Sequence, residues 1–170
     1  KWITGVFPPT KPSDFLFKIG DKDMDLIRRL IIGGKPHRKF MRCIHVQCDV
    51  NMPLTWWKHY DTYKVGTVAL SRSTMHKILS KALEESDFAP HQKWHRLKEI
   101  IADLNKEIEK SKEEHLSKEE KDACFHYVID LLPNCYLQER MTDLNYEVIL
   151  EILRWRSAHK LPDWHYYCNE

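Results

Sequence analysis

The chain has 170 residues, of which 42% are apolar and 31% are charged, a balance typical of a soluble globular protein. This composition excludes a wholly disordered, collagen-like or fibrous protein, and the length predicts one domain over residues 1–170 with a hydrophobic core of its own. The formal net charge, 27 − 25 = +2, gives no electrostatic indication that a nucleic acid or an anionic membrane is the partner.

The first fifty residues predict two strands and one helix. An apolar run at 15–19 favours a short strand. Residues 22–32 carry apolar side chains at helical spacing, with acidic residues at the start and arginines near the end, and Gly33-Gly34 follows as a typical helix stop. From 40 to 50 the even positions are mainly apolar and the odd positions mostly polar, which predicts a strand that is buried on one face.

The next segment predicts a short helix, a strand and a second helix. Pro53 suits the first turn of a helix that ends at Tyr60, because proline is tolerated where the backbone N–H has no helical partner. The run at 65–70 favours a small strand. A helix is then expected from the serine- and threonine-rich stretch at 71–74 through Leu83.

The second half of the chain predicts helices only. A charged helix is expected over about 92–113, and Ser117 with a glutamate three residues later has the spacing of a capping box. The helix that it opens should end near Pro133. The last long helix is expected over about 142–160, with Pro162 beyond its end. The fold class is therefore α+β, a mainly helical domain with a small sheet.

The sequence contains no recognisable membrane or secretion signal. No apolar run approaches the roughly 20 residues that a spanning helix needs, and the first nine residues lack the apolar core of a secretory signal. The chain begins without Met, so we expect that a residue or a tag has been removed. In such a protein the odd number of widely spaced cysteines indicates reduced thiols, and we predict a cytoplasmic location. The cysteines are Cys43, Cys48, Cys124, Cys135 and Cys168.

The last predicted helix carries a stripe of side chains that suits a ligand or a core. Asn145, Ile149, Ile152 and Arg156 follow one another at i, i+4, i+7 and i+11. At about 1.5 Å a residue, its two polar ends lie roughly 16 Å apart and could hold the two ends of an elongated polar ligand. The alternative is that the isoleucines belong to the core and the polar residues only border it. The helix alone favours that alternative.

The stretch 56–64 is dense in aromatic residues and precedes a group of hydroxyls around Arg72. Hydroxyls and an arginine at a loop-to-helix junction can bind phosphate, and aromatic rings nearby can stack on a flat ligand. The alternative is that the tryptophan pair is core and that Ser73 or Thr74 is only a helix cap. We regard this region as the one that favours a function most, by a small margin.

Other patterns in the chain predict no metal site and no familiar catalytic motif. His91 and His95 are spaced i, i+4 as in some metal sites, but no third ligand can be identified, and two surface histidines is the better interpretation. The sequence has no glycine-rich phosphate loop, no Ser-His-Asp motif and no paired-carboxylate signature.

Taken in order, these segments resemble the flavin-dependent thymidylate synthases, the ThyX family. The stretch 33–40, Gly-Gly-Lys-Pro-His-Arg-Lys-Phe, loosely matches a family segment that leads into a strand. The family signature is Arg-His-Arg, seven residues, then Ser, and counting back from Ser71 places it on 61–63. The family then has Leu-Pro, an asparagine and a Leu-Arg eleven residues later, which Leu132-Pro133, Asn145 and Arg156 match, with Trp155 in place of Leu.

The resemblance implies a ThyX-like fold over about 23–165, a homo-oligomer, and binding of FAD and a pyrimidine nucleotide. It places Asn145 and Ser71 as candidate flavin ligands and Arg156 as a candidate nucleotide ligand. With an enzyme-type function, Tyr63 is a further candidate flavin ligand and Arg72 a further candidate nucleotide ligand. Methyl transfer to dUMP is the family's reaction. Here Asp61 and Tyr63 stand where the family has arginines, which removes cationic phosphate donors, adds a repelling carboxylate and argues against that reaction.

A second hypothesis is a non-catalytic interaction protein on the same fold. A small chain without the signature arginines but rich in Trp and Tyr would suit a protein partner, for instance as a phage or mobile-element inhibitor of a host defence system. An open cleft lined by the candidate ligands would favour the enzyme-type function, and a filled cleft would favour the interaction protein.

Overall fold

The computed structural model describes residues 19–89 and 95–169, which fall into two compact units divided between Lys39 and Phe40. In the first unit, helix α1 (Asp21–Ile32) has acidic residues in its first turn and ends at Gly33. Gly34 follows with φ of +86°, a left-handed conformation that favours glycine. The helix predicted over 22–32 and its glycine stop are confirmed, whereas the strand predicted at 15–19 lies outside the described residues except for its last residue.

A three-stranded antiparallel sheet forms the centre of the second unit. Its strands are β1 (His45–Pro53), β2 (Thr67–Ser71) and β3 (Leu137–Asn145), in the order β1-β3-β2. The last strand in sequence therefore lies in the middle of the sheet and pairs along both of its edges. β1 and β2 are left as the two edge strands.

Helices surround this sheet in two groups, each with its own hydrophobic cluster. One cluster joins α4 and α5 through fully buried residues such as Leu104, Ile108 and Val128. The other packs α2, α6 and α7 with one face of the sheet through Trp56, Trp57, Tyr60, Leu144, Ile152 and Trp164. The helices of this unit are α2 (Leu54–Tyr60), α3 (Thr74–Lys77), α4 (Leu97–Ser111), α5 (Lys118–Leu131), α6 (Tyr146–Arg156) and α7 (Pro162–Asn169).

Local signals predicted several of these elements correctly. The short helix after Pro53 is α2, and the run at 65–70 contains most of β2. Ser117 caps α5 reciprocally with Glu120, and α5 ends just before Pro133. The charged helix predicted over 92–113 is α4, although its first predicted residues lie outside the described part. The mainly helical α+β fold class is confirmed.

Several predicted boundaries are wrong, among them the end of the last long helix, which was expected at about 160 and lies at Arg156. The strand predicted from residue 40 begins only at His45, because Lys39–Cys43 form a 3-10 turn. The helix expected through Leu83 ends at Lys77 after a single turn. The helix expected from residue 142 begins at Tyr146, because the residues before it pair with two neighbouring strands.

Two further observations bear on the setting of the protein. Among the described residues, no helix is both long and apolar enough to cross a membrane. All five cysteines carry free thiols. The single domain over 1–170 and the cytoplasmic location stay predictions.

Candidate functional site

Asn145 caps a helix instead of lying on its face. It is the last residue of β3 and the N-cap of α6, and its side-chain Oδ1 accepts a hydrogen bond of 3.1 Å from the backbone N–H of Val148. The side chain is buried, with 7% of the residue exposed. The predicted stripe along the helix is therefore wrong at this end, and the Asn145 side chain satisfies one of the donors that every helix N-terminus leaves open.

The other side of the Asn145 amide contacts a tight turn. Its Nδ2 lies so close to the Cα of Gly66 that a Cβ at that position would overlap it, and Val148 Cγ2 would lie 3.4 Å away. Gly66 has φ of +77°, a conformation that other residues rarely adopt. Its carbonyl accepts from the backbone N–H of Asn145 at 3.4 Å. The N-cap of α6 and the turn that precedes β2 are therefore in direct contact.

Arg156 and Tyr63, two predicted ligand residues 93 positions apart, are brought into direct contact. The Nε–H of Arg156 donates to the Tyr63 hydroxyl at 2.9 Å. The guanidinium carbon lies 5.5 Å from the centre of the Tyr63 ring and 5.0 Å from that of Trp164, within cation–π range. No hydrogen bond from either Nη of Arg156 is found within the described residues. The guanidinium is therefore held in place with two of its nitrogens available.

Two histidines lie beside this arginine. The rings of His59 and His159 meet edge to face at 5.5 Å, and His159 also contacts Trp164. Burial, followed by the charge of Arg156, lowers the pKa of His159 below its usual value. Its Nδ1 accepts from the backbone N–H of Leu161 at 3.0 Å, so the neutral ring carries its proton on Nε2. The cluster formed by Tyr63, Arg156, His59, His159 and Trp164 is called the Arg156 cluster below.

Asp61 does not place an uncompensated charge at this cluster. Its carboxylate binds Nη1 of Arg140 at 3.0 Å and 3.3 Å, and Arg140 stacks 4.4 Å above the ring of Trp57. Arg140 also donates to Gln138 at 2.9 Å. The repulsion of phosphate that the sequence predicted for Asp61 is therefore reduced, because the carboxylate already has a cationic partner.

Ser71 and Arg72 lie at the opposite end of β2 from Gly66. Ser71 is exposed and opposes Arg140 across the strand pair. Nη1 of Arg72 lies 3.1 Å from a carboxylate oxygen of Glu139. Arg72 lines an open cleft of about 360 Å³, in which Lys81 also has an acidic partner. Other polar residues that line this cleft include Ser73, Thr74, Lys77, Ser80, Ser86 and Gln138.

The predicted ligand residues thus separate into three places. Tyr63 and Arg156 form one pair, Arg72 lines a separate cleft beside the exposed Ser71, and Asn145 is committed to its cap. The tryptophan pair at 56–57 is fully buried, as the alternative interpretation had it. Among the described residues no group of three or more histidines, cysteines or carboxylates is arranged to hold a metal, and His91 lies outside them.

Sequence reasoning missed His59, His159 and Trp164 as neighbours of the candidate arginine. Only one signal was present, the position of His59 in the aromatic stretch that favoured function. His159 and Trp164 follow α6 in a segment that no sequence pattern connects with Tyr63. Their contacts are tertiary, so no local pattern could have identified them.

Comparison with known proteins supports the fold and no more. No protein-family model matches the chain, and no curated protein matches it. Its structure is similar to the crystal structure of thymidylate synthase X (ThyX) from Helicobacter pylori with FAD and dUMP. The TM-score is 0.68 at 12% identity, and the match covers 93% of this chain and 79% of that chain. The predicted ThyX-like fold is confirmed, whereas identity this low does not establish a shared activity.

Proposed function

We propose that the protein binds a pyrimidine nucleotide at the Arg156 cluster, with the Arg156 guanidinium as the ligand of the phosphate. The observation that carries this proposal is the state of the arginine itself. Its Nε is bound to Tyr63 and its plane is flanked by two aromatic rings, while neither Nη has a hydrogen-bond partner among the described residues.

Such an arginine is suited to phosphate for two reasons. The guanidinium offers parallel N–H donors that match two phosphate oxygens, and these charge-assisted bonds are about twice as strong as neutral ones. Because Tyr63 and Trp164 already restrict the side chain, less conformational entropy is lost when the ligand binds. The half-buried setting also weakens screening by water.

The rest of the cluster complements a nucleotide. His159 is held neutral with a proton on Nε2, and it therefore remains a hydrogen-bond donor at neutral pH. The partly exposed ring of Tyr63 provides apolar surface beside the arginine, and the fully buried Trp164 supports that ring from the core. The ThyX structure of similar fold was determined with dUMP, which supports a pyrimidine nucleotide as the first ligand to test.

Arg72 is the second cation that the sequence predicted to bind substrate. It differs from Arg156 because Glu139 already neutralises it and because most of its side chain is exposed. We therefore expect Arg72 to contribute less to the affinity than Arg156. Testing both arginines separates the Arg156 cluster from the cleft at the end of β2.

Flavin is a separate question, because the three predicted flavin ligands do not form one set within a single chain. The amide of Asn145 is buried in its cap, Tyr63 accepts from Arg156, and Ser71 is exposed at the far end of β2. These residues do not fit one flavin, and we derive no chemical step through it. FAD binding stays a prediction, for which the FAD in the ThyX structure is the support, whereas the arginines missing at 61 and 63 argue against methyl transfer.

Calorimetric titration of the purified protein with dUMP tests the proposal. We expect wild type to bind dUMP and to bind deoxyuridine, which lacks the phosphate, at least tenfold more weakly. Arg156→Ala should weaken dUMP binding by about 100-fold or more, in line with the loss of charge-assisted hydrogen bonds of about 1.5–3 kcal/mol each. Tyr63→Phe should weaken it less, because the arginine loses its anchor but keeps its charge.

Arg154→Ala is the matched control, since it removes an arginine from the same helix. Arg154 stacks on Trp155, outside the Arg156 cluster, and its removal should leave dUMP affinity unchanged. Equal affinities of wild type and a folded Arg156→Ala variant would overturn the proposal. An absorption spectrum after incubation with FAD and removal of free flavin tests the cofactor prediction independently.

A second candidate function, the non-catalytic interaction protein, is favoured by exposed apolar side chains on the later helices. Trp155 on α6 is 64% exposed, and Leu153 and Tyr166 are exposed as well. Aromatic side chains in such positions are enriched in protein interfaces. If the protein bound neither dUMP nor FAD, the non-catalytic interaction protein would be the better supported function. The phage or mobile-element origin stays a prediction.

A further inference from the structure

We infer that β1 is the docking strand for an extended peptide of another protein, which adds antiparallel to its free edge and carries a basic residue between apolar ones. The inference does not depend on nucleotide binding at the Arg156 cluster. It begins from the place of β1 in the sheet, where β3 pairs with one side of the strand. Within the described residues no strand pairs with the other side.

The hydrogen bonds of β3 show which backbone groups of β1 point outward. On the β2 side of β3, the Asn145 N–H donates to the Gly66 carbonyl at 3.4 Å. Further along the same side, the Glu139 carbonyl accepts from the Arg72 N–H at 3.1 Å. Odd-numbered residues of β3 therefore bond to β2. Because the backbone groups of successive residues in a strand point to opposite sides, the even-numbered residues of β3 bond to β1.

Three residues of β1 consequently keep their backbone groups for a further strand. The even-numbered residues of β1 are register partners of the even-numbered residues of β3, so their N–H and C=O groups point inward. Those of Gln47, Asp49 and Asn51 point to the free edge, and no hydrogen bond to them is found in the described part of the chain. An extended peptide can therefore bond to these groups as an added strand.

A groove with apolar walls runs along the same edge. Its volume is about 690 Å³, and β1, α6 and α7 line it. The even-numbered side chains of β1 face it, together with Ile149 and Leu153 of α6 and Tyr166 of α7. A smaller cavity of about 280 Å³ adjoins it and shares Asn51, Met52 and Tyr166 with it. Side chains of an added strand that point to this face of the sheet would enter the groove.

The sequence of β1 selects the chemistry of the added strand. In an antiparallel pair, directly opposed residues point to the same face of the sheet. The residues opposite Cys48 and Val50 therefore point into the groove and have to be apolar. The residue opposite Asp49 lies on the exposed face of the strand. Asp49 has no ion-pair partner among the described residues, and a lysine or arginine opposite it would supply one.

A partner other than this chain suits this edge. Two copies of β1 paired about Asp49 would place their carboxylates directly opposite each other, which is destabilising. β2 contains no basic residue that could oppose Asp49. β2 also encloses less as a receiving edge, because Ala69 and Ser71 are exposed on the face that corresponds to the groove.

Calorimetric titration of the full chain with a synthetic heptapeptide tests the inference. The probe has valine at its odd positions, lysine at its centre and threonine at the two other positions. We expect a dissociation constant in the micromolar range, because a short added strand buries less area than a stable protein interface. A central glutamate should weaken binding at least about tenfold, which corresponds to about 1.4 kcal/mol.

A charge exchange locates the peptide on β1. Asp49→Lys should reverse the preference, so that the peptide with central glutamate binds more tightly than the peptide with central lysine. Asp122→Lys on α5 is the matched control, because it makes the same charge change at another exposed position. It should keep the preference of wild type for lysine.

Methylated peptides distinguish strand addition from attraction of charges alone. In the antiparallel pair the central lysine exchanges both backbone hydrogen bonds with Asp49, whereas the N–H of the next valine points away from β1. A methyl group on the lysine backbone nitrogen should abolish binding, and one on the valine nitrogen should leave the affinity within a few-fold. Equal effects of the two methyl groups would overturn the inference. Absence of binding at millimolar peptide would overturn it too, as would a preference for lysine that Asp49→Lys leaves unchanged.

Discussion

The contact between Gly66 and Asn145 leads to a sharp prediction about stability. Gly66→Ala adds a Cβ that would overlap Asn145 Nδ2, so the amide must rotate away and its cap to Val148 is lost. Loss of an N-cap costs about 0.5–2 kcal/mol, and alanine in a left-handed conformation costs about 1–2 kcal/mol. Gly66→Ala should therefore lower the free energy of unfolding by about 1.5–4 kcal/mol.

A double-mutant cycle separates the two costs. Asn145→Ala alone should cost about 0.5–2 kcal/mol, and it removes the atom that the new Cβ would overlap. In that background Gly66→Ala should cost only the backbone share, about 1–2 kcal/mol. The coupling energy then equals the cost of the lost cap, about 0.5–2 kcal/mol. Gly34→Ala is the matched control, because Gly34 has φ of +86° but no atom within 4 Å of the added Cβ.

Urea unfolding of wild type, the two single variants and the double variant measures these free energies. The values are compared only where the slope of the transition is unchanged, because an altered slope indicates more than a change in stability. Additive costs of Gly66→Ala and Asn145→Ala would refute the reasoning, because they would mean that the Asn145 amide does not lie against Gly66. A Gly66→Ala variant no less stable than Gly34→Ala would refute it as well.

Two further predictions concern other polar contacts. Asn105→Ala should lower the free energy of unfolding by about 2 kcal/mol, because two hydrogen bonds to the backbone of buried Leu83 are lost. The Asn105 side chain accepts from the Leu83 N–H at 2.7 Å and donates to the Leu83 carbonyl at 2.9 Å. Lys106→Ala on the same helix should have little effect. Hydrogen bonds from Gln47 and then His45 hold the pKa of Asp143 below its usual value, so its stabilising effect is present above the unfolded pKa and is lost as pH falls through the folded pKa. Gln47→Leu should raise the Asp143 pKa in a carbon NMR titration, whereas Asn51→Leu should leave it unchanged.

The elements that the sequence predicted well are those with local causes. The glycines after α1, the proline before α2 and the reciprocal cap at Ser117 act within a few residues of the boundary that they set. The end of α5 follows in the same way from Pro133, which cannot continue a helix. Such signals can be identified from the sequence because their effect does not depend on distant parts of the chain.

The central strand was missed because its cause is not local. Residues 137–145 include Glu, Gln, Met and Leu, which are good helix formers. They form β3 because β1 and β2 pair with it on both edges and because Thr142 and Leu144 are buried in the sheet. Tertiary context commonly overrides intrinsic preference in this way. The same cause separated Asn145 from the helix face on which it had been placed.

Asn145 and Arg156 lie at the two ends of α6, and this placement relates them physically in a way that the predicted stripe along the helix did not. Asn145 fixes where the helix begins and Arg156 is its last residue, so the cap sets the position of the arginine relative to Tyr63. A loss of dUMP affinity in Asn145→Ala would therefore not prove direct contact with a ligand. Asn145→Ser separates the roles, because serine can keep the cap while losing the amide. Retained affinity in Asn145→Ser together with weakened affinity in Asn145→Ala would identify Asn145 as a positioning residue, whereas weakened affinity in a stable Asn145→Ser variant would identify it as a ligand.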